Sequence, residues 1–427
     1  MKRLVFLITV VSVMVFLSSI AMAGTVIALR GDGRVVFIDD AKDEIVGTVV
    51  TDGIAGAMGG VTPDGRLLYV ANNFGGDAKN PAQYTVSVID IKARKLVKNI
   101  PTGPRPKVPL VSPDGKLVGV NHSHMQHGKM VVTFIDTATN TIAKQVMIDV
   151  KNLSHKGDVS MHPIWTRDSR YFIIGNYADN TVHVIDAIDG KETARLQFDG
   201  NPHYFDITPD NKEIWVLVEG VEDAGGKIVD CPRIYVYKLS DFVIATAGAG
   251  PQEGFCMILN KEEVSEGHHG AFTRDGQFYY MANRGPGPNF DGTSINVFDT
   301  ATKKQVAHLT VGGKGQGHPY MSADGKYVAI TQYGGNVITF IDAKEHKVVK
   351  EIAVGNGKHV GFMAFTKDGK KAYVTNREDD AVYVVDMKGL EVKKKIETAE
   401  PDRKFKTQWQ LVNGYYNVFE KTEKYID

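Results

Sequence analysis

The sequence contains only two cysteines among 427 residues, and this scarcity excludes several classes of protein. A disulfide framework, a zinc knuckle and the C-x-x-C-H motif that attaches haem c all need cysteines that the chain lacks. Cys231 and Cys256 can pair with each other in an exported protein, and we interpret them as a local staple, with unpaired thiols as the alternative.

An excess of charge of either sign is also absent. Lysine plus arginine and aspartate plus glutamate number 50 each. A nucleic-acid-binding domain normally carries a basic stripe, so we expect no nucleic-acid partner. The sequence has no serine-nucleophile motif and no pair of carboxylates at a recognisable catalytic spacing. These absences favour a binding protein over an enzyme.

The one long apolar run lies at the N terminus. Lys2 and Arg3 precede an apolar stretch from Leu4 to about Leu17, and Ala21-Met22-Ala23 forms a small-residue cleavage site. We predict a secretory signal peptide over residues 1–23 and a periplasmic or secreted mature protein that has no membrane span. An uncleaved anchor is the alternative.

A repeat runs through the rest of the chain. An Asp-Gly type of turn recurs seven times at intervals of roughly 42 to 65 residues, which is typical of four-stranded propeller blades. The turns lie at Asp64, Asp114, Asp168, Asp210, Asp275, Asp324 and Asp368. Each turn precedes a β-rich run, and no long helical period lies between them. We therefore predict an all-β fold with one domain over residues 24–427.

The strands outnumber the turns, which bears on the number of blades. A second strand, in which apolar and polar residues alternate, follows the β-rich run and ends in aspartate. This strand occurs eight times, ending at Asp39, Asp90, Asp136, Asp186, Asp241, Asp299, Asp342 and Asp386. The first copy therefore lacks its innermost strand. A β-rich tail from about Phe405 to Phe419 is predicted to supply it and to leave no open sheet edge. We predict an eight-bladed β-propeller that is a monomer, with seven blades as the alternative if the tail packs elsewhere.

Ten of the thirteen histidines fall in segments that would line one face of this propeller. Five of them come six or seven residues before a turn, around 20 Å along an extended strand, and would ring the mouth of the channel. They are His162, His203, His268, His269 and His318. His359 is predicted just outside this ring. The loops of the same face contain His122, His124, His127 and His155.

Neutral imidazole is a common ligand of zinc, copper and iron. We predict metal ligands among His162, His203, His268, His269, His318, His359, His122 and His124. Met58 and Met125 would add thioether ligands that favour copper. For an organic cofactor we predict contacts from His268, His269, His318, His203 and Lys107. The alternative for each histidine is a structural hydrogen bond to nearby backbone or water.

The repeat text, as in Leu68-Tyr69-Val70-Ala71-Asn72, resembles the YVTN propeller repeats of exported bacterial and archaeal proteins. Three segments also resemble the haem d1 domain of cytochrome nitrite reductase and the propellers that assemble its cofactor. They are Gly31 to Asp39, His268-His269-Gly270 before Phe278-Tyr279, and Gly414 to Phe419. This resemblance implies a tail that completes an eight-bladed ring, and a correspondence of His268 to an active-site histidine of the family.

The chain departs from that family at one ligand position. Just before the first turn, where the family carries its proximal haem-iron histidine, this chain has Gly56-Ala57-Met58-Gly59-Gly60. A d-type haem would therefore need different ligation. Three functions stay open: a carrier of copper, zinc or a tetrapyrrole, an oxidoreductase that uses the same site with a periplasmic redox or chaperone partner, and a protein-interaction scaffold. We expect the carrier.

Overall fold

The computed structural model describes residues 24–51, 58–72, 84–222, 228–230, 232–245, 255–258, 267–285, 292–398, 408–412, 414–417 and 422–424. The predicted signal peptide at residues 1–23 and the side chains of Cys231 and Cys256 lie outside this description. Within it, no helix is both long enough and apolar enough to cross a membrane.

Eight sets of four antiparallel strands follow one another along the chain, and a single residue pair, Gln332 with Val360, joins the last two sets. Each set is called a sheet. The first sheet contains Gln408–Val412, Thr25–Arg30, Arg34–Asp39 and Glu44–Val50, and the second contains Gly59–Val61, Leu67–Ala71, Thr85–Asp90 and Lys95–Pro101. The third sheet contains Pro106–Val111, Leu117–His122, Lys129–Asp136 and Thr141–Asp149. The fourth sheet contains Ser160–Trp165, Tyr171–Asn176, Thr181–Asp186 and Lys191–Gln197. The fifth sheet contains Pro202–Ile207, Glu213–Val218, Arg233–Lys238 and Phe255–Ile258, and the sixth contains Gly267–Phe272, Phe278–Asn283, Ser294–Asp299 and Lys304–Thr310. The seventh sheet contains Gln316–Met321, Tyr327–Gln332, Val337–Asp342 and Lys347–Ala353. The eighth sheet contains Val360–Phe365, Lys371–Asn376, Ala381–Asp386 and Glu391–Glu397.

Two short hairpins and one helical turn complete the described secondary structure. Val221–Glu222 pairs with Ile228–Asp230, Gly414–Asn417 pairs with Thr422–Lys424, and the helical turn is Leu239–Phe242. The prediction of an all-β fold is confirmed.

The first strand of each sheet, as ordered above, is called its inner strand. Inner strands of neighbouring sheets contact one another around the whole series. Val360–Phe365 contacts Gln408–Val412, which in turn contacts Gly59–Val61. Gln408–Val412 also pairs with Thr25–Arg30, so a C-terminal strand provides the inner strand of the first sheet. The inner strands therefore form a closed cycle.

Each predicted Asp-Gly turn is closed by the same side-chain hydrogen bonds. The Thr273 hydroxyl donates to Asp275 at 2.6 Å, and it accepts a hydrogen bond from the backbone N–H of Phe278 at 3.0 Å. The hydroxyls in the other six turns belong to Thr62, Ser112, Thr166, Thr208, Ser322 and Thr366. These bonds satisfy backbone groups that the turn would leave unpaired. We call this end of the sheets the turn end.

The predicted aspartate ends the third strand in seven sheets but not in the fifth. There the strand ends at Lys238, and Asp241 lies in the helical turn Leu239–Phe242. Leu239 and Phe242 are both buried, and the helical spacing of these two apolar residues places them on one face. The prediction of a strand that ends at Asp241 is therefore wrong.

Large apolar side chains fill the space between neighbouring sheets. Phe134 of the third sheet packs against Trp165 and Phe172 of the fourth, with ring centroids 5.8 Å and 5.6 Å away. Gly119 allows this approach, because a Cβ atom there would lie 2.4 Å from the Phe172 ring. Burial of such rings contributes much of the stability of a fold of this kind.

A buried ion pair joins the first sheet to the eighth. The Arg30 side chain is 1% exposed, and its guanidinium lies 2.5 Å from Asp380 and 3.1 Å from Asp32. It also donates to the Thr398 hydroxyl at 2.9 Å. A buried arginine requires such partners, so these contacts fix the junction of the two ends of the chain.

Candidate ligand site

The inner strands of the third to eighth sheets share an irregularity near their start. In each, the pairing with the adjacent strand shifts so that the inner strand has one more residue than its partner. The shifted segments contain Lys107, His162, His203, His268, His318 and Phe362. A bulge turns side chains out of their alternating pattern. The repeated bulge therefore places one chemically distinctive side chain per sheet at the end opposite the turns, which we call the histidine end.

Five of the predicted histidines converge there, and we call them the histidine cluster: His162, His203, His268, His269 and His318. None is more than 5% exposed. Ring centroids are 3.8 Å apart for His268 and His269, 4.1 Å for His269 and His318, and 4.8 Å for His162 and His269. Those of His203 and His268 are also 4.8 Å apart. Four neighbouring sheets thus contribute imidazoles to one buried site.

Burial lowers the pKa of four cluster histidines. The pKa values of His162, His268 and His269 lie well below the ordinary value, because neighbouring cluster histidines, and Arg284 beside His268, add to the effect of burial. For His203 burial also lowers the pKa, although the Glu219 carboxylate opposes the shift. These imidazoles are neutral at physiological pH, and the neutral form is the one that ligates metals.

Polar side chains from the surrounding loops fix the orientation of the cluster. The Nδ1 atom of His203 lies 2.5 Å from Oε1 of Glu219, and the Tyr177 hydroxyl contacts the same nitrogen. Nη1 of Arg284 donates to Nε2 of His268 at 3.1 Å. The Tyr333 hydroxyl lies 3.1 Å from the His318 ring nitrogens.

Sequence reasoning missed these orienting residues, yet they follow a rule. Tyr177, Glu219, Arg284 and Tyr333 each come directly after the second strand of a sheet, as Arg377 does in the eighth. In four of these five sheets the structure gives a backbone N–H of this residue bonded to the loop before the inner strand. The residue immediately after the second strand of a sheet is therefore the one that sequence reasoning could have examined as a candidate to contact the histidines.

Two predicted metal ligands, His122 and His124, are not brought into the cluster. His122 ends the second strand of its sheet, where it pairs with Pro106 at the start of the inner strand. Asn176 and Asn376 occupy the same position in the fourth and eighth sheets. Its Nδ1 donates to the Pro104 carbonyl at 2.8 Å, and its Nε2 lies 2.9 Å from the Thr133 hydroxyl. His122 therefore lies apart from the cluster, and its two ring nitrogens bind protein groups at a register position that asparagine fills elsewhere.

His124 is exposed, and its ring lies 3.0 Å from the Arg105 guanidinium. His124 therefore lies on an exposed loop, apart from the cluster. His127 is exposed as well, and Nε2 of His155 contacts the backbone carbonyl of Asp158 at 3.1 Å.

Lys107 and His359 lie at the border of the cluster. Lys107 forms a 2.6 Å ion pair with Asp158, and its charge contributes to the lowered pKa of His162. The His359 ring lies 4.5 Å from the Tyr333 ring, and burial lowers the pKa of His359 to about 3. Both side chains therefore lie beside the cluster and not within it.

The thioethers that would favour copper pack elsewhere. Met58 and Met125 are partly buried against the apolar core. Their sulfur atoms therefore serve packing in the described structure.

Comparison with known proteins points in the same direction as the sequence. A family model described as the cytochrome D1 haem domain matches residues 334–409. The dihydro-haem d1 dehydrogenase of Pseudomonas aeruginosa is 22% identical over 390 residues, which cover 89% of this chain and 70% of that protein. The resemblance to the haem d1 propellers is confirmed.

Solved structures support the same fold. The chain is similar to dihydro-haem d1 dehydrogenase in complex with DHE, with a TM-score of 0.66, 19% identity, and coverage of 92% of this chain and 75% of that one. It is also similar to hydrazine synthase of Kuenenia stuttgartiensis (TM-score 0.55, 17% identity, 78% and 95% covered). A functionally unknown protein of Desulfotomaculum acetoxidans matches with a TM-score of 0.53 and 13% identity, over 91% and 98% of the two chains. The fold is a β-propeller.

Proposed function

We propose that this chain is an exported β-propeller that binds a tetrapyrrole of the haem d1 class at its histidine end, in a carrier or binding role. The observation that carries the proposal is the convergence of five buried histidines from four neighbouring sheets. The similarity to a dihydro-haem d1 dehydrogenase, and to its structure with a bound ligand, supports this ligand class.

The donor set at the histidine end fits an iron tetrapyrrole. Neutral histidine is a standard axial ligand of haem iron. Nε2 of His268 accepts a hydrogen bond from Arg284, so this nitrogen carries the lone pair of the neutral ring and is the atom that would bind iron in place of that hydrogen bond. We therefore assign His268 as the first candidate for iron ligation, with His318 beside it. Met58 precedes the first turn, where related propellers carry their histidine, so ligation has to come from the cluster.

Cationic and aromatic side chains around the cluster suit the rest of such a ligand. Arg284, Arg377 and Lys107 would pair with tetrapyrrole carboxylates. The Tyr333 ring lies 5.5 Å from both His268 and His318, and Phe362 lies 4.9 Å from His318. Such rings can pack on an apolar macrocycle. The bound group would supply an iron centre and a visible chromophore.

We also propose the number of blades, the export and the oligomeric state of the protein. We take each four-stranded sheet as one blade, which makes the ring eight-bladed and not seven-bladed. Export follows from the leader pattern at residues 1–23, and a periplasmic redox or chaperone partner would deliver or receive the ligand. We expect a monomer, because a closed ring has no open sheet edge.

The proposal is tested by titration of ligand-free mature protein with ferric haem d1, followed by visible absorption. We expect saturation at one equivalent with a shifted Soret band. A His268→Ala/His318→Ala double variant should bind at least about 100-fold more weakly, since two candidate ligands are lost. The His124→Ala/His127→Ala variant, altered only at exposed histidines, is the matched control. Equal affinity in both variants would contradict the proposed site.

A second candidate function is oxidation of the bound ligand. It is favoured by the similarity over 89% of the chain to a dihydro-haem d1 dehydrogenase. Because the sequence has no C-x-x-C-H motif, the electrons would have to pass to an external acceptor. Incubation with a dihydro form of haem d1 and a soluble acceptor tests this: acceptor reduction only in the presence of protein supports turnover, and its absence supports the carrier role.

A further inference from the structure

We propose that His162, His203 and His269 form a site for a divalent transition-metal ion, with zinc as the ion it fits. This site would bind the bare ion without any tetrapyrrole, so the inference goes beyond the proposed function and does not depend on it. The three histidines come from the inner strands of the fourth, fifth and sixth sheets.

The ring nitrogens of the three histidines lie close together. One ring nitrogen from each of the three histidines lies within 4.8 Å of the other two. Tetrahedral zinc with bonds of about 2.0–2.1 Å requires nitrogens roughly 3.4 Å apart. Movements of about an ångström per ring would close the set around an ion. All three side chains are at least nine-tenths buried, so their positions are set by packing and not by solvent.

The His203 ring is oriented by a carboxylate. Its Nδ1 lies 2.5 Å from Glu219, while its Nε2 has no hydrogen-bond partner in the part of the chain that the structure describes. A histidine that ligates a metal commonly donates its other nitrogen to a carboxylate, which fixes the tautomer and aims the ligating nitrogen. A buried nitrogen without a partner is costly unless something outside the protein binds it.

A second histidine in the same fold shows the difference between a ligand position and a structural one. His183 is equally buried, and its Nδ1 lies 2.7 Å from Glu192. Its Nε2, however, lies 2.9 Å from the Thr181 hydroxyl and 3.3 Å from the Asn176 amide. Protein groups therefore satisfy both nitrogens of His183. Nε2 of His203 has no such partner among the described residues, and the His162 and His269 ring centroids lie 5.1 Å and 5.3 Å from that of His203.

The donor type selects the class of ion. Three neutral imidazoles suit zinc or copper(II) and disfavour magnesium and calcium, which prefer oxygen. The three donors of the site are all nitrogens, whereas copper(I) is selected by soft sulfur ligands. Three protein ligands leave one coordination position for water or an exchangeable ligand.

The test uses full mature protein that has been stripped with a chelator and contains no tetrapyrrole. Zinc alone is titrated against a chromophoric competitor, and cobalt(II) replaces zinc to report geometry through its visible bands. We expect one zinc per chain and cobalt bands of tetrahedral intensity. The His203→Ala variant should lose at least about 100-fold in zinc affinity.

Two charge-neutralising variants separate the metal site from a general effect on folding. Glu219→Gln should weaken zinc binding about 10- to 100-fold, because Glu219 orients a ligand. Glu192→Gln changes the same kind of contact at His183 and should leave zinc affinity unchanged. Circular dichroism confirms that each variant is folded.

A wild-type zinc affinity no higher than that of the His203→Ala variant would overturn the inference. Equal losses of zinc affinity in Glu219→Gln and Glu192→Gln would also overturn it. Zinc binding that disappears only in His124→Ala/His127→Ala would also overturn it, since the ion would then lie on the exposed loop. The haem d1 titration is a separate experiment with separate variants, so failure of either proposal is visible independently of the other.

Discussion

The two ends of the sheets use their polar groups in opposite ways. At the turn end, a hydroxyl and a carboxylate within one short turn satisfy each other and the backbone, as in Thr273 and Asp275. At the histidine end, buried imidazoles contact residues of other sheets, as His203 of the fifth sheet contacts the Tyr177 hydroxyl of the fourth and His269 of the sixth lies 4.8 Å from His162 of the fourth. The turn end is complete within each repeat, whereas the histidine end is completed only by the assembled ring.

This difference explains why function is expected at one end only. A turn whose partners lie within five residues is built the same way in every sheet and offers no special chemistry. The bulge at the histidine end is also repeated, but the side chain that it carries changes from Lys107 to His162 to Phe362. Variation on a constant backbone is how a repeat fold acquires a specific site.

The largest predicted effect concerns the buried ion pair at the histidine end. Asp380→Asn should lower the free energy of unfolding by about 2–3 kcal/mol, because the buried Arg30 charge loses the nearer of its two carboxylate partners and keeps only Asp32. Urea unfolding measures the change. Lys370→Gln removes an exposed ion pair with Asp368 at the turn end and should leave stability unchanged. Equal losses would mean that the two ends do not differ in this respect.

The pH dependence of stability tests His122, a buried histidine that lies outside the cluster. Burial lowers the pKa of His122 to about 4 from an ordinary value of 6.5. The unfolded chain therefore binds more protons below pH 6.5, and stability falls from there down to about pH 4 at up to roughly 1.4 kcal/mol per pH unit for this residue.

The same position in other sheets supplies the matched variant. His122→Asn introduces the residue found at Asn176 and Asn376, and it should flatten the stability curve between pH 4 and 6.5. Unfolding measured across this range checks the slope. An unchanged slope would show that His122 is protonated in the folded protein.

A smaller effect is expected from the arginine beside the cluster. Arg284→Gln should weaken haem d1 binding about tenfold, because a charge-assisted contact with a ligand carboxylate is lost. Arg274→Gln is the control at the turn end, where the guanidinium contacts the Ser322 carbonyl at 3.3 Å. Absorption titration measures both variants. If Arg274→Gln weakens binding as much, the ligand is not confined to the histidine end.

The smallest effect is expected at a turn. Thr273→Val should cost about 1 kcal/mol of stability, because the Phe278 N–H loses its acceptor and Asp275 loses a donor. Haem d1 affinity should not change, since the turn is remote from the cluster. Thermal unfolding and the absorption titration together check this separation. A loss of affinity with intact folding would contradict the assignment of the two ends.

Features encoded within one repeat could be predicted from the sequence. The turn at Asp275 and the strand after it depend on residues a few positions apart, so pattern alone located them. Counting back from each turn also placed His162 and His269 at one end. Asp241 was misassigned because the helical turn depends on burial of Leu239 and Phe242, which tertiary packing decides.

The orienting residues could not be found in that way. Glu219 and Arg284 contact histidines 16 positions earlier in the chain, and their roles depend on the curvature and packing of the loops. The sequence pattern also did not show that both ring nitrogens of His122 bind protein groups, because histidine and asparagine can fill the same structural position.

The central claim is that cluster imidazoles hold the iron of a bound tetrapyrrole. The most direct measurement is pulsed electron paramagnetic resonance of ferric haem d1 bound to protein labelled with ¹⁵N-histidine. We predict hyperfine coupling between the iron and an imidazole ¹⁵N in the wild type, and its loss in His268→Ala/His318→Ala. Bound haem d1 without any imidazole coupling, or with coupling that survives in the double variant, would contradict the account.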